Sequence, residues 1–202
     1  PCVGEDRPGL RYFRSVRTTG LNENTVVALF SARLLNTGTS YMKMWMPASS
    51  DVSYFTALAP GAKTASSPYQ NKPSLVVTMR KEKTAVKEPF VAVYEPISDK
   101  VSAGLIESVD RVKLDPQGEE GCAIKVNTKE GDTFTLVNIL KDGPVILNNQ
   151  KCCGDFAIFA KRKGKNSVYV GNGSFVENKE FKVESENRGS FYMEYDQTSL
   201  LV

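Results

Sequence analysis

Tyr94 and Glu95 stand side by side in the stretch EPFVAVYEP at residues 88–96. A phenol and a carboxylate are residue types that an enzyme uses to move a proton. In an extended chain, however, neighbouring side chains project to opposite faces, so Tyr94 falls with Phe90 and Ala92, and Glu95 with Val91 and Val93. The two cannot act on one substrate atom. The stretch is therefore read as a strand rather than an acid/base dyad. Its apolar run predicts burial on both faces and an end at Pro96.

Other groupings carry binding chemistry. In YMKMWMP (41–47) alternation sets Tyr41, Lys43 and Trp45 on one face and Met42, Met44 and Met46 on the other. Aromatic rings on a sheet face stack against sugar rings, with polar neighbours bonding the hydroxyls. The competing reading packs Trp45 in the core or under a loop. Arg11, Arg14 and Arg17 suit bidentate contact with carboxylate or sulfate. Strand alternation lets Arg11 and Arg17 share a face and turns Arg14 to the other. Tyr41, Trp45, Arg11 and Arg17 are thus the candidate ligand-binding residues, and no residue is nominated as catalytic. The cluster KRKGK (161–165), at an expected hairpin tip, is either a solvated turn or a contact for a sulfated or carboxylated polymer. GNGSF (171–175) lacks the following helix that a phosphate cradle needs, and reads as a turn.

The chain contains no histidine in 202 residues. Histidine is the side chain whose unperturbed charge change falls between about pH 5 and 8. Its absence removes Ser-His-Asp and Cys-His nucleophiles, HExxH and most other catalytic zinc sites. The cysteines, Cys2, Cys122 and the adjacent Cys152 and Cys153, lack zinc-site spacing. Adjacent cysteines rarely bond to each other because the ring strains the intervening peptide. Buried free thiols are the first reading and one distant disulfide the second. Acidic residues fall in no EF-hand spacing. Neither a metal nor a cofactor is expected.

Charge is uneven: residues 1–97 hold 12 Lys/Arg against 7 Asp/Glu, and residues 98–202 hold 14 against 16. The basic first half suits an acidic polymer, and a solvated mixed surface fits it equally. No nucleic-acid partner is expected, and no run approaches the roughly 18 apolar residues of a membrane span. The chain opens on Pro1-Cys2-Val3, read as a processed or truncated end, so the missing leader is silent on compartment.

These residues must be positioned by strands. With 41% hydrophobic and 24% charged residues, the composition is that of a globular protein. Strand patterns cover 11–19, 41–47, 51–60, 74–80, 90–95 and 105–114. Residues 25–35 are open between strand and short helix, with Thr25-Val26-Val27 and the following turn favouring strand. Three hairpins follow: 122–128 with 133–140, 155–162 with 167–176, and 180–186 with 190–196. The expected class is all-β, an antiparallel β-sandwich of stacked sheets with little or no helix. A break near 98–104 suggests a first β-sheet region at 1–97 and a hairpin-rich region at 98–202, the alternative being one continuous domain over 1–202.

FVAVYEP, preceded by NKPSLVVTMRKEKTAVKEP, resembles the β-sheet region of heparinase II/III-type polysaccharide lyases. GLIESVDRVKL, AIKVNTKEGDTFTLVNIL and DFAIFAKRKGKNSVYVGNGSFV resemble the hairpin series that closes those proteins. Such lyases abstract the proton beside a uronic carboxylate and eliminate the glycosidic oxygen. Their tyrosine and histidine groups sit mainly in an N-terminal α/α-toroid, with a histidine from the β region and often a partly histidine-held metal. Without histidine, neither site carries over to any position of this chain. The resemblance implies a non-catalytic accessory β-sandwich domain, secreted or periplasmic, that supports an N-terminal catalytic domain of the same protein and contacts acidic polysaccharide. The alternative is a free-standing carbohydrate-binding or cell-surface interaction module. An independent enzyme using Tyr, Arg or Lys is the third reading.

Overall fold

The computed structural model describes residues 13–22, 24–34, 38–59, 74–81, 89–98, 104–115, 121–139, 143–196 and 200–201. Among them there is no helix. In chain order the strands are β1 (Arg14–Asn22), β2 (Val26–Leu34), β3 (Gly38–Met46), β4 (Ser49–Ala59) and β5 (Ser74–Lys81). Then come β6 (Val93–Ile97), β7 (Ile106–Val112), β8 (Gly121–Thr128), β9 (Thr133–Ile139) and β10 (Val145–Leu147). The last five are β11 (Gln150–Cys153), β12 (Phe156–Arg162), β13 (Lys165–Glu177), β14 (Lys182–Tyr195) and β15 (Leu200–Leu201). Every ladder between them is antiparallel. The all-β class expected from alternation and turn spacing is what forms, and β2 takes the extended form that its β-branched start favours.

The chain divides into two compact units. The first, Pro1–Asn24 with Ala48–Lys83, holds the sheet β1-β4-β5. Its strand β1 is irregular: Ser15 has φ +53, and the register shifts between Arg14 and Arg17. Arg14 faces Leu58 and Arg17 faces Thr56. Three steps along β1 thus match two along β4, so the bulge brings Arg14 and Arg17 to the same side. Strict alternation had separated their faces.

The second unit, Thr25–Pro47 with Thr84–Val202, contains two sheets. One runs β10-β11-β13-β12-β9-β8-β7, with β14 on β13 and β15 on β14. It nearly closes on itself. Asp115, beyond the end of β7, bridges Ile146 in β10 through N–H···O bonds of 3.1 and 2.8 Å. Closure leaves an inside, and alternation fills it: Val137 and Ile139, Ala157 and Phe159, Val168 and Val170, Leu147 and Met193 are all buried in one cluster. On the outside of β7 and β8, Val109, Ile124 and Val126 are buried beneath Trp45 and Val93 of the second sheet, β2-β3-β6. That packing of sheet on sheet is the sandwich element.

Three local expectations are corrected. Residues 171–175 form no turn but lie within β13, which runs through a bulge between Val170 and Phe175. The expected third hairpin is one continuous strand, β14, through Asn187, Arg188 and Gly189. The real reversal is at Asn178, whose Oδ1 accepts the N–H of Glu180 at 2.7 Å and of Phe181 at 3.0 Å. Glycine marks bulges in long strands as readily as turns. Finally, Lys163 and Gly164, with φ +48 and +82, make a two-residue turn between β12 and β13 where a four-residue loop was expected.

Cys122, Cys152 and Cys153 carry free thiols. Cys152 points into the closed sheet, and burial, reinforced by the neighbouring Cys153, pushes its thiol up to about 12 from 9.0. Burial also raises Cys122 and Tyr195. The unfolded chain releases the Cys152 proton from about pH 9, whereas the folded chain retains it to about pH 12. This stabilising contribution is therefore complete below about pH 9 and is lost as pH rises towards 12. Urea midpoints of the native chain should fall across about pH 9–11, and the slope should flatten in Cys152→Ala. Parallel slopes would assign the alkaline loss to other groups.

Candidate functional site

Glu95 lies in the wall of a concave surface formed by β6, the start of β7, β8 and β9. It lies on β6, which among the described residues pairs only with β3 and forms the edge of its sheet. An edge tolerates a residue without an N–H, and β6 continues through Pro96 to Ile97 rather than ending there. Tyr94 and Glu95 do point oppositely, but the stretch is not buried on both faces. Phe90 is 46% and Tyr94 60% exposed, while Glu95 is 6% exposed.

A buried carboxylate needs donors, and three converge here. The indole Nε1 of Trp45 donates to Glu95 Oε2 at 3.0 Å. Oε1 accepts the backbone N–H of Leu105, and that of Ile106 at 2.8 Å. The approach requires Gly104: its φ is +71, and a Cβ there would run into the carboxylate. Glu95 therefore fastens β6 to β3 and to the start of β7. Its oxygens are engaged by these donors, which makes it an anchor rather than a proton carrier.

Beside this anchor lies a cleft of about 490 Å³ whose wall includes Tyr94, Ile97, Leu105, Val126 and Phe134. Its rim is basic. Lys129 donates from Nζ to the Gly104 carbonyl at 2.9 Å. The Arg162 guanidinium sits 6.0 Å from the centre of the Phe134 ring. Arg162 also pairs with the buried Asp132 at 3.3 Å, whose other oxygen accepts the Lys163 N–H. Asp132 thus ties the β8–β9 turn to the β12–β13 turn and accounts for part of the basic cluster at 161–165. Lys165 is paired with Glu194 at 3.3 Å. Among the described residues no three His, Cys, Asp or Glu side chains converge on a metal-sized site. The arrangement offers apolar and aromatic walls with cations at the rim, which suits holding an acidic chain.

Of the residues nominated from sequence, Tyr41 and Trp45 share β3, opposite Ile97 and Val93 respectively. Their common face is the packing face: Trp45 lies against Val109, Ile124 and Val126. Arg17 is exposed on β1 of the other unit, and Arg11 lies outside the described residues. Glu95 as a three-donor acceptor, and Lys129, Phe134 and Arg162 as rim and wall, were not foreseen. The signal for Glu95 was a charge within an apolar strand, but its donors lie on other segments.

No protein-family model and no solved structure matches the chain. The chain is 30% identical over 193 residues to an endo-acting ulvan lyase of Formosa agariphila, an alignment covering 92% of this chain. It is thereby related to a polysaccharide lyase, and it spans 23% of that protein's length.

Glu95→Ala leaves three part-buried N–H groups without their acceptor, where a fully buried one would cost about 1–3 kcal/mol. The urea midpoint should fall markedly, and the emission of Trp45, the sole tryptophan, should shift to the red. Gly104→Ala should act in the same direction by displacing the carboxylate. Unchanged stability and emission in both variants would refute the anchoring role.

Proposed function

We propose that the chain is a non-catalytic β-domain of a heparinase II/III-type polysaccharide lyase, where it supports a catalytic domain and contacts acidic polysaccharide. The observation that carries this reading is the partial match: 92% of the chain aligns with only 23% of an ulvan lyase. The remainder of such a protein has room for catalytic machinery, and this chain has no histidine with which to supply it. The cleft's basic rim, Lys129 and Arg162, beside Tyr94 and Phe134, supports contact with an anionic glycan. On this reading the substrate class is ulvan-like acidic polysaccharide, and the setting is secreted or periplasmic.

The same cleft favours one alternative, a free-standing module that binds carbohydrate or a cell surface. The first reading requires retention by an acidic polymer and a catalytic partner domain encoded upstream in the same chain, whereas the second requires neither. Electrophoresis of the 202-residue chain through gels containing ulvan should show retardation that salt abolishes. Lys129→Ala should weaken it about two- to fivefold, the range of an exposed ion pair. Incubation with ulvan should release no unsaturated uronate. Release of that product would overturn the non-catalytic assignment, and mobility unaffected by ulvan would overturn the binding assignment.

A further inference from the structure

The outer face of the large sheet is covered over β7 and β8 but bare farther along. Alternation directs Leu136, Ile158, Tyr169 and Tyr192 outward, since Val137, Phe159, Val168 and Met193 fill the inside. Register aligns them in one row, Ile124↔Leu136↔Ile158↔Tyr169↔Tyr192. At one end Ile124 is buried under the second sheet, whereas at the other Tyr192 is 50% exposed. The character changes along the row: aliphatic from Ile124 through Leu136 to Ile158, aromatic at Tyr169 and Tyr192. With strands about 4.8 Å apart, the bare part from Leu136 to Tyr192 extends roughly 14 Å.

A third ring joins it. Phe156 lies opposite Gly171, and a Cβ on Gly171 would run into that ring. The missing side chain lets the phenyl ring settle over the β13 backbone while remaining 41% exposed. It meets Tyr169 with centroids 5.5 Å apart and planes inclined at 37°. A cation is fixed at Asp155, the residue before Phe156. The Arg188 Nη2 pairs with Asp155 at 2.8 Å, and its Nε donates to the Asn172 carbonyl at 3.0 Å. The Asn172 side chain in turn donates to Asp155 at 2.8 Å. Asn172 occupies the β13 bulge with φ +47, and Arg188 retains 41% side-chain exposure. The bulge thus holds a guanidinium at Asp155, the residue preceding Phe156.

We propose that Phe156, Tyr169 and Tyr192 form a second carbohydrate subsite that stacks the rings of an acidic polysaccharide, with Arg188 meeting a carboxylate or sulfate at its end. This rests on the reading that the chain contacts acidic polysaccharide. The occupant follows from the shape and chemistry of the strip. It is a row of rings flanked by the polar side chains of Asn138, Ser167, Ser190 and Glu194, which offer hydrogen-bonding partners on both sides of the rings. Phenol hydroxyls, exposed ring faces and a prepositioned guanidinium match the hydroxyls, apolar faces and charges of an acidic sugar.

Retardation in ulvan and heparin gels tests the subsite. Tyr192→Ala and Phe156→Ala should each weaken retention about two- to tenfold, whereas Tyr192→Phe, which keeps the ring, should retain it. Arg188→Ala should weaken retention and reduce its salt dependence. All four variants should keep the urea midpoint close to that of the unaltered chain, so that loss of binding is not loss of fold. Full retention in Tyr192→Ala and Phe156→Ala, with Lys129→Ala still weakened, would overturn the subsite while leaving the cleft in place. Failure of either polymer to retard the unaltered chain would instead remove the reading on which the subsite rests. Loss of a concentration-dependent dimer in Tyr192→Ala, with retardation unchanged, would reassign the row to self-association and overturn the proposal.

Discussion

A carboxylate that is 6% exposed is the constraint on which the second unit turns. Removed from water, Glu95 must recover its hydration from donors held by the protein. The three donors come from two places: an indole on β3 and the consecutive amides of Leu105 and Ile106 at the start of β7. The edge strand, its neighbour and the first strand of the large sheet are therefore fixed relative to one another by a single side chain. The cleft exists because these segments are held at that separation, and its rim lysine binds the carbonyl of the same Gly104 that makes room for the carboxylate.

Closure of the large sheet imposes a second division. Once Asp115 meets Ile146, one set of alternate residues is enclosed and the other faces outward. The adjacent cysteines show the effect, with Cys152 buried inside and Cys153 partly exposed. The outward set is then split again by the second sheet, which covers Val109, Ile124 and Val126 and leaves Leu136, Phe156 and Tyr192 open. On the outer face of the large sheet, the side chains open to a ligand are those that this second division leaves bare.

Period-two alternation and turn residues made the strands legible. The β8–β9 hairpin around its Lys-Glu-Gly-Asp turn appears much as the sequence suggests, because its register is fixed locally. Bulges were not legible. Gly171 and Gly173, or Asn187 to Gly189, have turn composition, but β13 and β14 pair on both sides of them and carry the strands through. The bulge at Ser15 reverses the parity that separated Arg14 from Arg17. Pro96 is tolerated because β6 has a free edge, which depends on sheet order rather than on local sequence. The site was least legible because each part is long-range: Glu95 reaches a residue 50 positions away, and Arg162 reaches Asp132 across 30.

The missing histidine gains meaning from this geometry. Elimination beside a uronic carboxylate needs a base with a free acceptor and an acid near it. The buried carboxylate of Glu95 has its oxygens taken by structural donors, and Tyr94 is turned to the opposite face. What the bare surfaces offer instead is aromatic rings with guanidinium and ammonium groups at their margins. Phe134 and Arg162 link the two surfaces, since Phe134 walls the cleft and also lies one step from Leu136 on the outer face of β9. The Arg162 guanidinium, 6.0 Å from the centre of the Phe134 ring, is therefore common to the cleft and to the outer face of β9. The buried partner Asp132 keeps that guanidinium in place before any ligand arrives, so little ordering cost remains for binding to meet.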